Sequence, residues 1–386
     1  MADDSTTKQV KSSKNGSTTG GYKDRFWYPR FWDGMSMGPW LSLATKNRFS
    51  FSPSCFPMAA IVSQLSVVNS TLSLLQKMIY GRKIARTKIE KHPIFIVGHW
   101  RSGTTLLHEL LVLDPQHTFP DTYTCFAPSH FVLSSSVIPK MCGFLMPKQR
   151  PMDNVRAGFQ QPQEDEFAIC NLGIPSPYRT IAFPNFEPQC QEFLDLDNIS
   201  EGDLREWKKG VEWLLKCLTF KTPKRIVLKS PPHTARVRHL LDMFPDARFI
   251  HIVRDPYVLF PSTVNLWKRL YRDEGFQRPK YEGLEEYVFE TFNQMYTAFE
   301  RDRDLVSKNR FAEVRYEDLV QDIPGQLKRI YEELELDGFD AVGPELQKYA
   351  DRSKGYKTNK YEISDEVRAE IARRWRPYFE KYGYSL

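Results

Sequence analysis

A chain of 386 residues, 41% hydrophobic and 26% charged, has the composition of a soluble globular protein and is long enough to bury a large α/β core with appended pieces. Its net charge of +6 suits anionic ligands, but the basic residues are too dispersed to argue for nucleic acid. The six cysteines (Cys55, Cys125, Cys142, Cys170, Cys190 and Cys217) lie far apart, which argues against a metal-ligand pair and a disulfide staple alike.

Residues 1–21 are small and polar and read as a disordered tail. The first 23 residues hold no apolar signal core, so a cytoplasmic location is the expectation. An N-terminal arm follows over 22–91, dense in aromatics at first (Phe26, Trp27, Tyr28, Phe31, Trp32, Trp40). No charged residue occurs from 51 to 76, and Lys77, Arg82, Lys83, Arg86 and Lys88 come directly after. Ser63, Gln64, Ser66 and Asn69 make the stretch a poor membrane span. Ile61, Leu65, Val68, Leu72, Leu75 and Ile79 recur every three or four residues, which predicts an amphipathic helix packed on the protein. Membrane-surface docking or a homodimer contact through 56–80 is the alternative, and would place the protein at the periphery of a membrane.

The main domain is expected over 92–386. Ile94, Phe95, Ile96 and Val97 form a continuous β-favouring run, the mark of a strand buried on both faces. Gly98-His99-Trp100-Arg101-Ser102-Gly103-Thr104-Thr105 follows, and then Leu106, Leu107, Leu110, Leu111 and Leu113 at helical spacing. A strand that turns into a helix across glycines leaves backbone N–H groups unpaired, and such a concavity holds a tetrahedral oxyanion. The spacing is that of a nucleotide P-loop, with Thr104 where the nucleoside-triphosphate loop has lysine. A triphosphate would lose its main fixed cation there. Arg101 offers instead a planar fork of donors inside the loop, and an activated phosphosulfate suits that arrangement.

Residues 114–224 are proline-rich, with short segments, and read as a functional insertion on the acceptor side. They hold Asp121 and the run Glu164-Asp165-Glu166. These three acids either open a helix and are stabilised by its dipole, or face an acceptor that they bind or deprotonate. A βαβ unit comes next: a strand at 225–228, a helix at 234–244 and a strand at 248–253. Lys229 and Arg254 then stand just past the carboxyl ends of two parallel strands, the edge where open α/β sheets bind ligands. Further on, helices are expected at 284–307, 323–334 and 365–382, with a strand at 311–314 and a basic stretch at 354–360.

The loop at 98–105, the strand end Leu228-Lys229-Ser230-Pro231, and Ile252-Val253-Arg254-Asp255-Pro256 with Ser262 eight residues after the arginine together resemble the sulfotransferase family. The nearest pattern is its large bacterial branch, related to the tyrosylprotein and carbohydrate sulfotransferases, and the similarity covers roughly 92–320. The resemblance implies an α/β, P-loop-kinase-like three-layer fold with a central parallel sheet, and 3′-phosphoadenylyl sulfate (PAPS) as donor with no metal required. Arg101, Ser102, Gly103, Thr104 and Thr105 would bind its 5′-phosphosulfate, and Arg254 with Ser262 its 3′-phosphate. Lys229 would neutralise charge on the leaving phosphate oxygen. Asp121 falls where the tyrosylprotein enzymes have a catalytic glutamate, and Glu164 and Glu166 are its rivals as base. Lys354, Lys357 and Lys360 resemble the basic segment that closes over the donor in relatives.

The implied activity is sulfuryl transfer to a hydroxyl of an acceptor left open among carbohydrate, tyrosyl, lipid and phenol. A P-loop kinase is the enzymatic alternative, disfavoured by Thr104 and by the want of a magnesium-holding aspartate. A non-catalytic donor-binding protein is the other.

Overall fold

The computed structural model describes residues 29–145, 158–353 and 361–386, so the expected tail, the first arm aromatics and the basic stretch at 354–360 lie outside the described residues. The arm consists of α1 (Met37–Lys46) packed on a long α2 (Phe56–Arg86). The helix expected from the 3–4 spacing exists, but its polarity is reversed. The stripe of α2 that faces the protein is Ala59, Val62, Ser66, Asn69, Gln76 and Ile84. Of the residues expected to face inward, Val68, Leu75 and Ile79 are exposed, and Ile61, Leu65 and Leu72 are half-buried.

The cause lies in backbone groups beneath the helix that need donors and acceptors. Asn69 donates from Nδ2 to the carbonyls of Asp33 (2.7 Å) and Met35 (3.0 Å), and its Oδ1 meets His130 Nε2 at 3.0 Å. Gln76 donates to the Ser129 carbonyl (3.1 Å) and accepts the Leu133 N–H (3.0 Å). Polar side chains are thus drawn inward, and much of the hydrocarbon is left outside.

β1 (Ile94–Val97) is the middle of a five-stranded sheet that also holds β2 (His117–Thr118), β3 (Arg225–Lys229), β4 (Arg248–Val253) and β5 (Phe311–Arg315), in the order β2-β3-β1-β4-β5 with every neighbour parallel. Alternate residues of β1 belong to different cores. Ile94 and Ile96 pack with Leu107, Leu110 and Leu111 of α3 (Thr104–Leu111) and with Leu327 and Ile330 of the helix Ile323–Glu333. Phe95 and Val97 join the larger core on the other face, with Trp207 of the helix Glu201–Lys221, Phe260 of Pro256–Glu274 and Phe299 of Leu284–Asp302. Each of these fully buried side chains contributes about 1.5–3 kcal/mol, which is why a strand of four residues can anchor the domain. The register sets Ile96 beside Lys229 and Val97 beside His251, so β1, β3 and β4 deliver Gly98, Ser230 and Arg254 to one edge.

The insertion over 114–224 contains α4 (Thr122–Phe126), α5 (Phe131–Ser134), α6 (Ile138–Cys142) and α7 (Asp165–Asn171). It also contains the 21-residue helix Glu201–Lys221, absent from the sequence expectation, which Ser200 opens by accepting the Asp203 N–H at 3.1 Å. The helix expected over 284–307 ends at Asp302. The one expected over 365–382 is two, Asp365–Arg374 and Arg376–Tyr382, because Pro377 cannot continue the hydrogen-bond ladder.

Candidate active site

Two glycines make the turn after β1 possible. Gly98 has φ +148°, and a Cβ there would stand 2.6 Å from the Ile252 carbonyl oxygen. Gly103 has φ +108°, and a Cβ would stand 2.4 Å from the Tyr316 ring. Between them Arg101 takes φ +71°, a left-handed conformation that costs a side-chain-bearing residue about 1–2 kcal/mol. Its surroundings hold it there: Arg254 Nη1 donates to the Arg101 carbonyl at 2.9 Å, and Arg101 Nε donates to Ser262 Oγ at 3.0 Å. Ser102 Oγ donates to the His99 carbonyl (2.7 Å), and the Gly98 N–H donates to Thr234 Oγ1 (2.7 Å). The amides of Thr104, Thr105 and Leu106 precede the first intrahelical bond of α3, from the Leu107 N–H to the Gly103 carbonyl at 3.1 Å. They therefore open toward the turn as donors.

The two expected anion sites adjoin. Ser262 and Arg254 both touch Arg101, and the Arg254 guanidinium lies 4.1 Å from the centre of the Tyr316 ring. Burial lowers the pKa of Arg254, and the neighbouring Arg101 pushes the same way. An anion between two such groups relieves both effects. Tyr316 thus packs on Gly103 and supports Arg254, a role that nothing in the sequence analysis assigned to it.

On the other side of the turn the three consecutive acids each meet a basic side chain from β3 or the helical turn after it. Glu164 Oε1 accepts from Lys229 Nζ at 2.7 Å, and its Oε2 accepts from the Tyr178 hydroxyl, which itself takes the Trp100 indole N–H at 3.0 Å. Asp165 accepts from Ser230 Oγ (2.9 Å) and lies 2.7 Å from His233 Nε2. Burial raises the Asp165 pKa, but His233 and Ser230 outweigh it and hold the carboxyl below its usual range. Glu166 is gripped by Arg236 at 2.6 and 3.1 Å and by Ser176 Oγ at 2.6 Å.

Exposure separates the three roles. The side chain of Glu164 keeps 15% of its surface open beside Lys229 at 2%, whereas Asp165 and Glu166 are sealed in. Glu166 is therefore corrected from a candidate base to an interior anchor: both its oxygens are committed to Arg236 and no acceptor can reach it. Asp121 stands at a helix start. Its Oδ1 accepts the Thr124 N–H at 2.7 Å as the N-cap of α4, and burial raises its pKa against that bond. His99 is buried, its pKa pushed down to about 3, and it meets the Trp100 carbonyl. His117 bonds the Leu111 carbonyl, and His108 is buried in α3. His233, Arg236, Tyr178 and Trp100 had no assigned role in the sequence reading. The signal was there: basic residues at 229, 233 and 236, spaced four and three, answer three acids in a row. Among the described residues no group of three or more His, Cys, Asp or Glu is placed to hold a metal ion.

The family model described as "Sulfotransferase family" matches residues 93–341. The chain is 45% identical over 361 residues, 94% of its own length and 93% of the relative's, to omega-hydroxy-beta-dihydromenaquinone-9 sulfotransferase Stf3 of Mycobacterium bovis, and to the same degree to that of Mycobacterium tuberculosis. Of solved structures, sulfotransferase STF9 from Mycobacterium avium superposes with a TM-score of 0.69 at 16% identity, covering 92% of this chain and 98% of that one. Sulfotransferase STF1 from Mycobacterium tuberculosis does so at 0.62 and 19%, covering 88% and 90%. At those identities the structural likeness bears on the fold alone, and it matches the expected P-loop-like α/β architecture.

Proposed function

The chain belongs to the sulfotransferase family, and on that premise we propose that it moves the sulfuryl group of PAPS to a hydroxyl, with Glu164 as general base and Lys229 as the fixed cation. The observation that carries this reading is the 2.7 Å contact between Lys229 and Glu164 at the sheet edge, beside the glycine turn. The donor's phosphosulfate fits the loop amides and Arg101; its 3′-phosphate fits Arg254 and Ser262. The contacts of both with Arg101 bring the two phosphate positions within one nucleotide's reach.

In the transfer, Glu164 takes the proton of the acceptor hydroxyl. The acceptor oxygen then bonds to sulfur as the bond from sulfur to the 5′-phosphate oxygen breaks. The electron pair stays on that phosphate, where Lys229 and the loop amides meet the developing charge, and adenosine 3′,5′-bisphosphate leaves. Lys229 is useful because it is positioned before the reaction: β3 holds its backbone, and Glu164 holds its ammonium. No metal ion is assigned a step.

For the acceptor we propose the hydroxyl of an apolar lipid, supported by the acceptor named for the 45% identical relatives and by the aromatic surroundings of Glu164 (Trp100, Tyr178, Phe167). The insertion 114–224, which supplies Glu164, is then the acceptor side of the 92–386 domain.

Kinetics on purified variants test the assignment. Glu164→Gln lowers kcat by about 10²–10⁴ while binding of adenosine 3′,5′-bisphosphate in EDTA stays near the parent value. Asp121→Asn keeps most of kcat. A Glu164→Gln enzyme as fast as the parent removes Glu164 from the base position, and stabilisation by magnesium–ATP alone removes PAPS as donor.

A further inference from the structure

The reversed polarity of α2 has a chemical consequence outside the active site. Among the described residues, thirteen of the seventeen large apolar side chains that stand exposed fall within 37–144, on the arm and on the helices that pack against it. Phe56, Val67, Leu74, Leu75, Met78 and Ile79 follow one side of α2, and Met78 is 74% exposed. Gln76 ties α2 to α5, which leads directly into α6, where Met141 and, in the turn just past it, Phe144, 83% exposed, add apolar surface. Isolated exposed hydrophobics are ordinary; a run of them along one helix and its neighbour marks an interaction surface.

Charge identifies what lies opposite. Residues 34–89 contain seven Lys and Arg and no Asp or Glu, so this stretch alone holds more than the chain's whole net charge of +6. Lys77, Arg82, Lys83 and Arg86 are exposed at the end of the apolar run, and among the described residues none of them makes an ion pair. A second copy would set this acid-free surface against itself and leave those cations unmatched. A transmembrane course has the right length and composition over Pro53–Arg86, yet Asn69 and Gln76 bind the helix to the body along its length. A helix so tethered, apolar outward and basic at its end, lies flat on its partner.

We infer that α1, α2 and α6 form a docking face for the surface of an anionic lipid bilayer. The apolar residues enter the boundary of the acyl chains, and the four cations meet lipid phosphates. The face is joined to the acceptor side by short contacts. Tyr123 of α4 donates to Ser134 of α5 at 2.7 Å, and the Thr122 and Tyr123 N–H groups bond the Gln161 (2.9 Å) and Phe159 (3.0 Å) carbonyls just before Glu164. Docking stands on the arm alone and holds whether or not the acceptor is a lipid.

Vesicle flotation of the full-length chain tests it, with phosphatidylcholine alone against phosphatidylcholine mixed with phosphatidylglycerol. The parent floats with the anionic vesicles and much less with the neutral ones, and added salt weakens the association. Leu74→Glu with Met78→Glu lowers partitioning by at least roughly tenfold. Glutamine at Lys77, Arg82, Lys83 and Arg86 together lowers it by about a hundredfold. Both variants keep the parent's binding of adenosine 3′,5′-bisphosphate, which shows that they fold and separates a failed docking face from a failed donor site. Three results overturn the inference: no flotation of the parent, flotation indifferent to both variants, or a parent dimer in sedimentation equilibrium that Leu74→Glu with Met78→Glu converts to monomer.

Discussion

The edge of the sheet and the outer side of the arm both put side chains where residue type alone would not. At the edge, three adjacent carboxylates go inward, and each finds a partner: Lys229, His233 and Arg236. On α2, amide side chains go inward while Leu74, Met78 and Ile79 stay outside. In both regions the buried polar group is the one whose partner is already fixed by backbone or strand, as the cost of leaving such a group unpaired requires. The difference lies in what faces outward. The edge leaves one carboxylate partly open; the arm leaves hydrocarbon, which water does not reward, beside four exposed cations that make no ion pair among the described residues.

The deepest pair gives the largest effect. Arg236→Met leaves Glu166 buried with only Ser176 against its charge, and about 3–5 kcal/mol of stability is lost in urea unfolding. Arg236→Met combined with Glu166→Leu recovers much of that loss, since a buried pair replaced by packed hydrocarbon is often neutral. A loss below about 1 kcal/mol for the single variant contradicts the description of this edge as sealed, partnered charge.

A smaller effect joins the arm to pH. His130 sits between Asn69 Oδ1 (3.0 Å) and Ser134 Oγ (2.8 Å), and burial lowers its pKa from 6.5 to about 4. Because the folded value is depressed, the unfolded chain takes up the proton first as pH falls. The stability tied to neutral His130 is therefore whole above pH 6.5 and is lost progressively down to about pH 4. The slope for one proton is about 1.4 kcal/mol per pH unit. His130→Gln flattens the measured dependence of unfolding free energy on pH by one proton in that window. An unchanged slope places the proton uptake elsewhere.

How much of this could be read from sequence follows the same division. β1, β3, β4 and the glycine turn were legible because a strand buried on both faces is a continuous apolar run, and because glycine is required where φ is positive and a neighbour stands within 3 Å. The edge positions of Lys229 and Arg254 were legible from strand ends, whereas Ser262, inside the helix Pro256–Glu274, was singled out only by the resemblance. The division of labour among Glu164, Asp165 and Glu166 was not legible, since three adjacent letters do not say which basic side chain each will meet across more than sixty residues of chain. Nor did the 3–4 spacing of α2 say which side is in. Periodicity gives the angle of a stripe; the unsatisfied carbonyls of Asp33, Met35 and Ser129 chose its direction.

The smallest expected effect is the sharpest on that last point. In an ordinary amphipathic helix, a large apolar residue replaced by serine on the hydrophobic side costs several kcal/mol, and a polar residue replaced on the other side costs almost nothing. On α2 the order reverses. Met78→Ser changes unfolding free energy in water by no more than about 0.5 kcal/mol, because Met78 touches little of the protein. Asn69→Ala, a comparable deletion, costs about 1–3 kcal/mol, because it strips the Asp33 and Met35 carbonyls of their donor and His130 of its acceptor. If Met78→Ser proves the costlier of the two, α2 packs with its apolar side inward, and both the reversed helix and the lipid-facing surface built on it fall together.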